Sequence, residues 1–497
     1  MVLSVFFGDH DSNVAFGTDD GRLLHLEAER YFRIKHLAAS ADQMDQLIDV
    51  GLAYLGARPA DVAEVLVARW SCKYDLSAPL AIGGRRIVPT VTGHHLNHVA
   101  TSFPSGFKRS IVLCADGGSE DGATSLFHVV GDQVRRIAVL DQTALTGRVY
   151  GTATQMTIQP DFITAHASDT GKMMGLAAYG SVDPALVARV QDNLPQINRV
   201  HPGGVDHLRE LFEIAPTYAR WPDERRRNLA ATVQRLWEDT LLDVAARYRH
   251  LEQQLSIVGG CAMNVVANGR LERSGLFSRV FVPAMPTDAG QSLGALWAAR
   301  PELASTSPYL GRDVGAVTPI SLAMSMAEDL VSGRVIAVCS GRSESGPRAL
   351  GNRSILALPS SEEVRVRVSE EIKGREAYRP IAPVIRAADL QRLFDGDTLS
   401  PYMSFAYQAR EETRRLAPAI VHIDGTSRVQ TVEPEQHPLL HAVLDSLESL
   451  GHLPVIANTS MNVAGDPMVD TEEEALDFFE KTPVDVMYLG NRRLARV

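Results

Sequence analysis

The segment "GHHLNH" contains two histidines, His94 and His98, whose type and spacing could bind a metal ion. On a helix, residues four apart lie on one face with Cβ atoms about 6 Å apart, which suits one ion. Two aspartates, Asp116 in "CADGG" and Asp288 in "PTDAG", follow strand-like runs and could complete the set. Two imidazoles and two carboxylates favour a divalent transition ion over calcium. Taken singly, such a histidine pair is more often structural, and such an aspartate is more often a turn former or helix cap.

Two further motifs are candidates for nucleotide contacts. "SIVGGCAMN" places Gly259 and Gly260 between a predicted strand and a predicted helix, where backbone N–H groups and the helix dipole favour an anion. Asn264 closes this motif, and Lys172 is a flexible cation in the glycine-flanked segment "SDTGKMMGLAAYG". The alternatives are a plain tight turn for the glycine pair and a solvated surface side chain for the lysine.

Basic residues are frequent in the last third of the sequence, within segments rich in glycine, proline and serine. The seven are Arg342, Arg348, Arg353, Lys373, Arg375, Arg379 and Arg428. Arginine forks bind phosphate and carboxylate oxygens through two parallel hydrogen bonds. Because the chain as a whole is acidic and these residues do not lie on amphipathic helices, we predict that they bind an anion.

The composition is that of a globular protein with large buried cores. The 497 residues are 45% hydrophobic and carry a formal charge of −11, so no general attraction to nucleic acid or anionic lipid is expected. This length suits two or three domains. The four cysteines, Cys72, Cys114, Cys261 and Cys339, are scattered, which suits a reducing compartment. Neither a signal peptide nor a membrane-spanning run is recognisable, so a soluble, cytoplasmic protein is expected.

The elements that must position these residues alternate between strands and helices, which predicts an α/β fold. The chain opens as strand, polar turn and strand, with His10 in the turn "GDHDSN". A similar unit recurs in "SIVLCADGGSEDGATSLFHV", where a strand is predicted to end at Asp116, and the repetition indicates internal duplication. Ser40 and Gln43 form a capping-box pattern at a helix start. The Pro-, Ser-, Thr- and Gly-rich segment 299–315 predicts a domain boundary.

Seven motifs along the chain resemble those of the carbamoyltransferases of nodulation and antibiotic biosynthesis. They are, in order, "HHLNH", "GKMMGLAAYG", "GGCAMN", "GRSESGPRALGNRSIL", "REAYRPIAP", "HIDGTSRVQTV" and "NTSMN". The resemblance covers nearly the whole chain. It implies an α/β protein with a duplicated, actin-like ATPase (Kae1-like) domain over residues 1–305, followed by a YrdC-like α/β domain over residues 306–497.

The activity that the resemblance implies has two steps. The second domain would form carbamoyl adenylate from carbamoyl phosphate and ATP with Mg²⁺, and the first would pass the carbamoyl group to a hydroxyl of a small-molecule natural product. The four residues of the His/Asp set match the family's metal ligands, with iron favoured over manganese or zinc. His10 matches the candidate general base, because a neutral imidazole with a pKa of about 6.5 can take a hydroxyl proton at pH 7. No nucleic-acid or membrane partner is expected, and a homodimer is compatible with the sequence.

The resemblance also assigns the anion contacts. In the first domain the nucleotide would be held by Lys172, Gly259, Gly260 and Asn264. In the second domain carbamoyl phosphate and ATP would be held by Arg348, Lys373, Arg375, Arg379, Arg428, Ser460 and Asn462. The segment from Pro184 to Arg227 is a candidate wall for the acceptor. The sequence departs from the family pattern at Asn97 and in the segment after it, which predicts that the helix of the two histidines ends early, near Pro104.

Three other functions share parts of this pattern. An enzyme of tRNA threonylcarbamoylation would use relatives of both domains, but the acidic chain has no basic stripe for tRNA. A non-catalytic, actin-like ATP-binding module would leave the basic residues of the second domain unexplained. A sugar kinase would fit the repeated strands but has no use for the His/Asp set.

Overall fold

The computed structural model describes residues 1–68, 78–119, 122–141, 145–160, 169–194, 207 and 209–496, so Cys72 lies outside the described residues. The chain forms two compact units, one of Met1–Glu29 and His36–Thr306 and the other of Arg30–Lys35 and Ser307–Val497. Both units combine strands with helices, which confirms the α/β class. No helix among the described residues combines the length and apolar character needed to cross a membrane.

Two five-stranded sheets form the centre of the first unit, and both have the same strand order. The described strands of this unit, of which β5 and β6 form a separate two-stranded sheet, are β1 Val2–Phe6, β2 Asn13–Gly17, β3 Leu23–Glu27, β4 Glu64–Ala68, β5 Leu80–Ile82, β6 Arg85–Ile87, β7 Thr90–Thr92, β8 Arg109–Ser119, β9 Gly122–Val130, β10 Gln133–Val139, β11 Gln254–Val258 and β12 Arg279–Phe281. One sheet has the order β3-β2-β1-β4-β7 and the other β10-β9-β8-β11-β12. In each sheet the first two pairings are antiparallel and the last two are parallel. One topology is therefore repeated along the chain.

Helices follow these strands at points that the local sequence explains. Those described before Thr306 are Ala28–Phe32, Ala41–Leu55, His94–Ala100, Gly147–Thr157, Thr170–Ala177, Pro184–Asp192, Glu224–Tyr248, Val265–Arg273 and Gln291–Ala299. The predicted capping box of Ser40 and Gln43 is confirmed, and that helix ends at Gly56, whose φ is +65°. The helix of the two histidines ends before Pro104, as predicted.

The two aspartates of the His/Asp set do not end strands, contrary to the sequence-based expectation. Strand β8 continues past Asp116 to Ser119, and its pairing with β9 shifts register after Ala115. Gly118, with a φ of +145°, accommodates this bulge because it has no side chain. Asp288 begins a 3₁₀ turn that leads directly into the helix Gln291–Ala299. Both carboxylates thus project from local irregularities, which hydrophobic periodicity does not reveal.

The second unit is built on one mixed sheet of eight strands. These are β13 Ile336–Cys339, β14 Arg353–Ala357, β15 Ala382–Arg386, β16 Phe405–Gln408, β17 Thr426–Val432, β18 Ile456–Ser460, β19 Val486–Leu489 and β20 Arg492–Ala495. Their order is β16-β17-β15-β18-β14-β13-β19-β20. The described helices are Ala323–Val331, Glu362–Val366, the π-helix Arg367–Ile372, Leu390–Leu393, Glu411–Leu416, Pro438–Ser449 and Glu472–Lys481. The apolar faces of Ala323–Val331 and Pro438–Ser449 join the sheet in one buried core.

His437 gives the second unit a pH-dependent stability. Its buried ring accepts a hydrogen bond at Nδ1 from the N–H of Leu440, at 3.1 Å, and so caps the helix Pro438–Ser449. Burial lowers its pKa from 6.5 to about 4, so the folded protein keeps the ring neutral. Below pH ~6.5 the His437 ring binds a proton in the unfolded chain but stays neutral in the folded chain. We therefore expect the free energy of unfolding to fall by up to about 3 kcal/mol as the pH drops from about 6.5 to about 4.

A His437→Asn variant isolates this contribution, because asparagine keeps a capping side chain but does not titrate. Denaturant unfolding of both proteins between pH 7.5 and pH 4.5 should show the advantage of the wild type shrinking as the pH falls. Parallel stability curves over that range would contradict the expectation.

Candidate functional site

The four residues of the His/Asp set converge in the first unit. His94 and His98 come from one helix, with their Nε2 atoms 3.2 Å apart. Oδ2 of Asp116 lies 3.1 Å from each of these nitrogens, and Oδ1 of Asp288 lies 3.4 Å and 3.2 Å from them. All four ligand atoms lie within 4.8 Å of one another. Residues up to 194 positions apart in the sequence thus face a single point.

Close packing between two helices sets the position of the histidines. Nδ2 of Asn97 donates to Oε1 of Gln291 at 3.0 Å, and Nε2 of Gln291 donates to the carbonyl of His94 at 3.3 Å. A Cβ atom on Gly294 would lie 2.1 Å from the carbonyl oxygen of Asn97, so only glycine permits this approach. Gln291 and Gly294 lie in the helix that follows the turn of Asp288. The packing that fixes the histidines therefore also positions this aspartate.

The donor set fits a divalent transition ion, because two imidazole nitrogens and two carboxylate oxygens meet at a mostly buried point. Burial by itself would raise the pKa of Asp116, but hydrogen bonds and charge from His94 and His98 hold it well below its ordinary value. Burial lowers the pKa of His98, yet Asp116 and Asp288 raise it to about 9. Metal binding would take the place of the proton on His98, since only the neutral imidazole is a ligand.

His10 faces the same point from the turn after β1. Its Nε2 lies 3.8 Å from Oδ2 of Asp288, and its Nδ1 lies 2.9 Å from Oδ2 of Asp11. Burial lowers the pKa of His10, but the hydrogen bond and charge of Asp11, with the charges of Asp288 and Asp116, raise it to about 10. A metal ion bound by Asp116 and Asp288 would offset the carboxylate charges that raise this pKa. The role of His10 as a neutral proton acceptor therefore stays a prediction.

The glycine pair predicted to contact the nucleotide lies against Asp116. Gly259 has a φ of +87°, and a Cβ atom on it would lie 2.3 Å from the carbonyl oxygen of Ala115. A Cβ atom on Gly260 would lie 3.2 Å from Oδ1 of Asp116. Gly147, which no sequence motif singled out, is similar, because its Cβ atom would lie 2.8 Å from the carbonyl oxygen of Asp116. These three glycines keep side chains away from one flank of the aspartate.

The other two residues predicted to contact the nucleotide have protein partners. Oδ1 of Asn264 accepts from the N–H of Ala267 at 3.1 Å, which caps a helix, and the Asn264 amide also exchanges hydrogen bonds with Gln234. Nζ of Lys172 pairs with Asp169 at 3.0 Å. Among the described contacts none joins either residue to the His/Asp set, so their role in nucleotide binding stays a prediction.

Lys373 is a deeply buried cation of the second unit's predicted anion site. It follows the π-helix Arg367–Ile372, and π-helices occur frequently at functional sites. Only 1% of Lys373 is exposed. Its Nζ donates to the carbonyl and Oδ1 of Asn462, both at 2.7 Å, to the Ser460 hydroxyl at 3.2 Å and to the Ser460 carbonyl. Burial, followed by the charges of Arg375 and Arg379, lowers its pKa well below the ordinary value.

Four arginines surround this lysine and repel one another. Burial lowers the pKa of Arg375 and of Arg348, and neighbouring guanidinium groups lower both further. Arg428 is affected by burial and by Arg379, which together lower its pKa to about 10. Within the part of the chain that the structure describes, the buried Nε atoms of Arg348 and Arg428 have no hydrogen-bond acceptor. Among the described ion pairs of these arginines, Glu376 offsets part of this charge, with its Oε2 3.6 Å from Nη1 of Arg379. The structure therefore brings the five predicted cations together with an excess of positive charge.

Two other arginines of the predicted anion site donate to backbone carbonyls. The guanidinium of Arg353 is completely buried, and it donates to the backbone carbonyls of Ser340, Asn352, Arg312, Gly341 and Asp470. Arg342 donates to the carbonyls of Gly311 and Leu310. Nε of Arg353 has no hydrogen-bond acceptor among the described residues. These backbone contacts favour a structural role that shapes the loop carrying Arg348, and anion binding by the two residues stays a prediction.

An open cavity of about 700 Å³ lies within the segment predicted to line the acceptor. Its walls include Arg189 and Arg225, which both approach Glu213, at 3.5 Å and 3.6 Å. Asp183 and Asp223 also line it, and each caps a helix. No described contact links this cavity to the His/Asp set, so its use by an acceptor stays a prediction.

The chain matches two models of known families. They are the carbamoyltransferase N-terminus over residues 85–297 and the carbamoyltransferase C-terminus over residues 327–496. Nodulation protein NolNO of Sinorhizobium fredii is 30% identical over 97% of this chain and 78% of its own length. The 3'-hydroxymethylcephem-O-carbamoyltransferase of Amycolatopsis lactamdurans is 32% identical over 99% of this chain and 98% of its own length. The chain belongs to the carbamoyltransferase family. The predicted family is confirmed, and the protein is an enzyme.

A solved structure, (R)-2-hydroxyglutaryl-CoA dehydratase component A of Acidaminococcus fermentans, aligns with 61% of this chain and 99% of its own. The sequence identity is 13% and the TM-score is 0.39.

Proposed function

We propose that this enzyme is an ATP-dependent O-carbamoyltransferase. It would move the carbamoyl group of carbamoyl phosphate, through carbamoyl adenylate, to a hydroxyl of a small-molecule natural product. The observation that carries the proposal is the cluster of Arg348, Lys373, Arg375, Arg379 and Arg428, whose charge exceeds that of the carboxylate beside it. The name of the cephem carbamoyltransferase, which describes transfer to the oxygen of a hydroxymethyl group, supports a hydroxyl acceptor.

The second unit would form the adenylate, and the first would transfer the carbamoyl group. We assign the YrdC-like domain to residues 306–497 and the duplicated, actin-like (Kae1-like) domain to residues 1–305. The repeated strand order of the first unit supports the second assignment. The separation of the basic cluster from the His/Asp set, each within its own unit, supports two half-reactions at two sites.

In the second unit, the cations would lower the repulsion between two anionic substrates. Carbamoyl phosphate and water give carbamate and phosphate, and a carbamate oxygen then attacks the α-phosphorus of ATP. The bond to the β-phosphate breaks, pyrophosphate leaves and carbamoyl adenylate remains. Lys373 and Arg375, fixed by Ser460, Thr459 and Asn462, would hold the phosphate oxygens in place. Preorganised cations of this kind stabilise charge as it moves to the leaving group.

In the first unit, the His/Asp set would hold the metal ion, with iron favoured. When bound, this ion would offset the charge of Asp116 and Asp288 and hold the phosphate of the adenylate. Nε2 of His10, 3.8 Å from Asp288, would take the proton of the acceptor hydroxyl. The hydroxyl oxygen then attacks the carbamoyl carbon and AMP leaves. Gly147, Gly259 and Gly260 would leave room for the nucleotide beside Asp116.

Pyrophosphate release tests this proposal directly. We expect the purified protein with ATP and Mg²⁺ to release pyrophosphate only when carbamoyl phosphate is added, because the adenylate cannot form without it. Phosphate should appear in equal amount. Release of ADP instead would indicate a kinase, and pyrophosphate release that does not depend on carbamoyl phosphate would exclude the carbamoyl adenylate route.

A further inference from the structure

We propose that Asp11 fixes the ring orientation and tautomer of His10, and that His36 holds Asp11 in place for this purpose. Asp11 and His36 would then be positioning residues for carbamoyl transfer. The inference rests on the proposed role of His10 as proton acceptor.

One carboxylate bridges the two imidazoles. Oδ2 of Asp11 lies 2.9 Å from Nδ1 of His10, and Oδ1 of Asp11 lies 2.8 Å from Nδ1 of His36. An ionised carboxylate only accepts hydrogen bonds, so both Nδ1 atoms must carry a hydrogen. A neutral His10 bridged in this way has its lone pair on Nε2. That is the atom that faces Asp288, at 3.8 Å.

The bridge lies in a turn that several contacts hold rigid. Asp11 and His36 have φ angles of +53° and +54°, a left-handed conformation that is uncommon for residues other than glycine. Nδ2 of Asn13 donates to the carbonyls of Asp11 and Asp288, at 2.6 Å and 2.9 Å, and its Oδ1 accepts from the N–H of Ser292 at 3.1 Å. The Asn13 contacts hold this backbone in the conformation that places His10 beside Asp288. This favours a functional rather than an incidental geometry.

The carboxylate stays ionised, as a bridge between two N–H donors requires. Burial raises the pKa of Asp11, but His36 and His10 outweigh this effect and hold it far below the ordinary value. Asp11, His36 and Glu29 could also be read as a small metal site. Their ligand atoms are already engaged, however, because Nδ1 of His36 faces Asp11 and Oε2 of Glu29 accepts the His36 backbone N–H at 2.9 Å. We therefore prefer the hydrogen-bonded bridge.

The decisive variant is Asp11→Asn, which keeps the shape of the side chain but presents an N–H₂ group to the ring of either His10 or His36. We expect kcat for acceptor carbamoylation to fall about 10²–10⁴-fold, as when a histidine base loses its orienting carboxylate. The KM of the acceptor should change less than about threefold, and carbamoyl-phosphate-dependent pyrophosphate release should be unchanged. His36→Gln should show a smaller loss of kcat in the same half-reaction.

Nitrogen NMR of the zinc-loaded, histidine-labelled protein provides a second readout that needs no turnover. His10→Gln identifies the ring signals, and the Nδ1–H tautomer of His10 should be lost in Asp11→Asn. Retention of that tautomer, or an unchanged kcat, would overturn the proposal. So would reduced metal content in Asp11→Asn, which would make Asp11 a metal contact. If wild-type protein releases no pyrophosphate, the proposed function fails while the tautomer result still decides the role of Asp11.

Discussion

Replacing His94 or Asp288 with alanine is expected to reduce carbamoyl transfer to the acceptor at least about 10³-fold, while carbamoyl-phosphate-dependent pyrophosphate release continues. Each substitution removes one of four ligands that meet within 4.8 Å. The loss corresponds to about 4 kcal/mol of transition-state stabilisation, a reasonable amount for a site that holds charge on a leaving phosphate. Adenylate formation should persist because the basic cluster lies in the other unit.

Two measurements distinguish ligand loss from general damage. Elemental analysis should show about one transition-metal ion per wild-type chain and much less in His94→Ala and Asp288→Ala. His95→Gln is the matched control, because His95 is equally buried on the same helix but lies outside the ligand set. It should keep its metal and its transfer activity. If the His94 and Asp288 variants lost both half-reactions equally, this result would contradict the proposal that the two half-reactions occur at separate sites.

Spacing and residue type indicated the four residues of the His/Asp set as candidate ligands. Residues His94 and His98 are on one helical face because helical periodicity requires it, and the packing of Asn97 against Gly294 then brings this face to the aspartates. The repeated strand–turn–strand pattern likewise predicted two similar sheets, because strands and turns are specified by local sequence. The prediction that these distant residues come together in one site was supported by the family resemblance, since no local rule places Asp288 beside His94.

Hydrogen-bond partners could not be predicted in the same way. Arg348 and Arg353 belong to one motif, yet the Nη atoms of Arg353 donate to five backbone carbonyls, whereas no described hydrogen bond joins the Arg348 guanidinium to the backbone. Asp11 adjoins His10 in the sequence, but its partner His36 belongs to no motif. Such contacts depend on how distant backbone segments fold together, so residue type indicates a capability and only the structure shows its use.

The loop that carries Arg348 therefore provides a pair of variants with opposite expected effects. Arg348→Met should reduce carbamoyl-phosphate-dependent pyrophosphate release about 10²–10³-fold, the usual loss when one preorganised charge contact is removed. The folded protein should be as stable as the wild type or more stable. Burial and the charges of Arg428 and Arg379 already lower the pKa of Arg348 well below its ordinary value, so removing this cation relieves repulsion.

Arg353→Met is the matched control, because it removes a cation from the strand that follows this loop and with it five hydrogen bonds to backbone carbonyls. It should lower the thermal unfolding temperature, since the loss of these hydrogen bonds destabilises the folded state. Added pyrophosphate should raise the unfolding temperature of the wild type by binding the folded protein, and should raise that of Arg348→Met much less. An Arg348→Met protein that lost stability but still responded to pyrophosphate as the wild type does would show that this arginine supports the fold and not the anion.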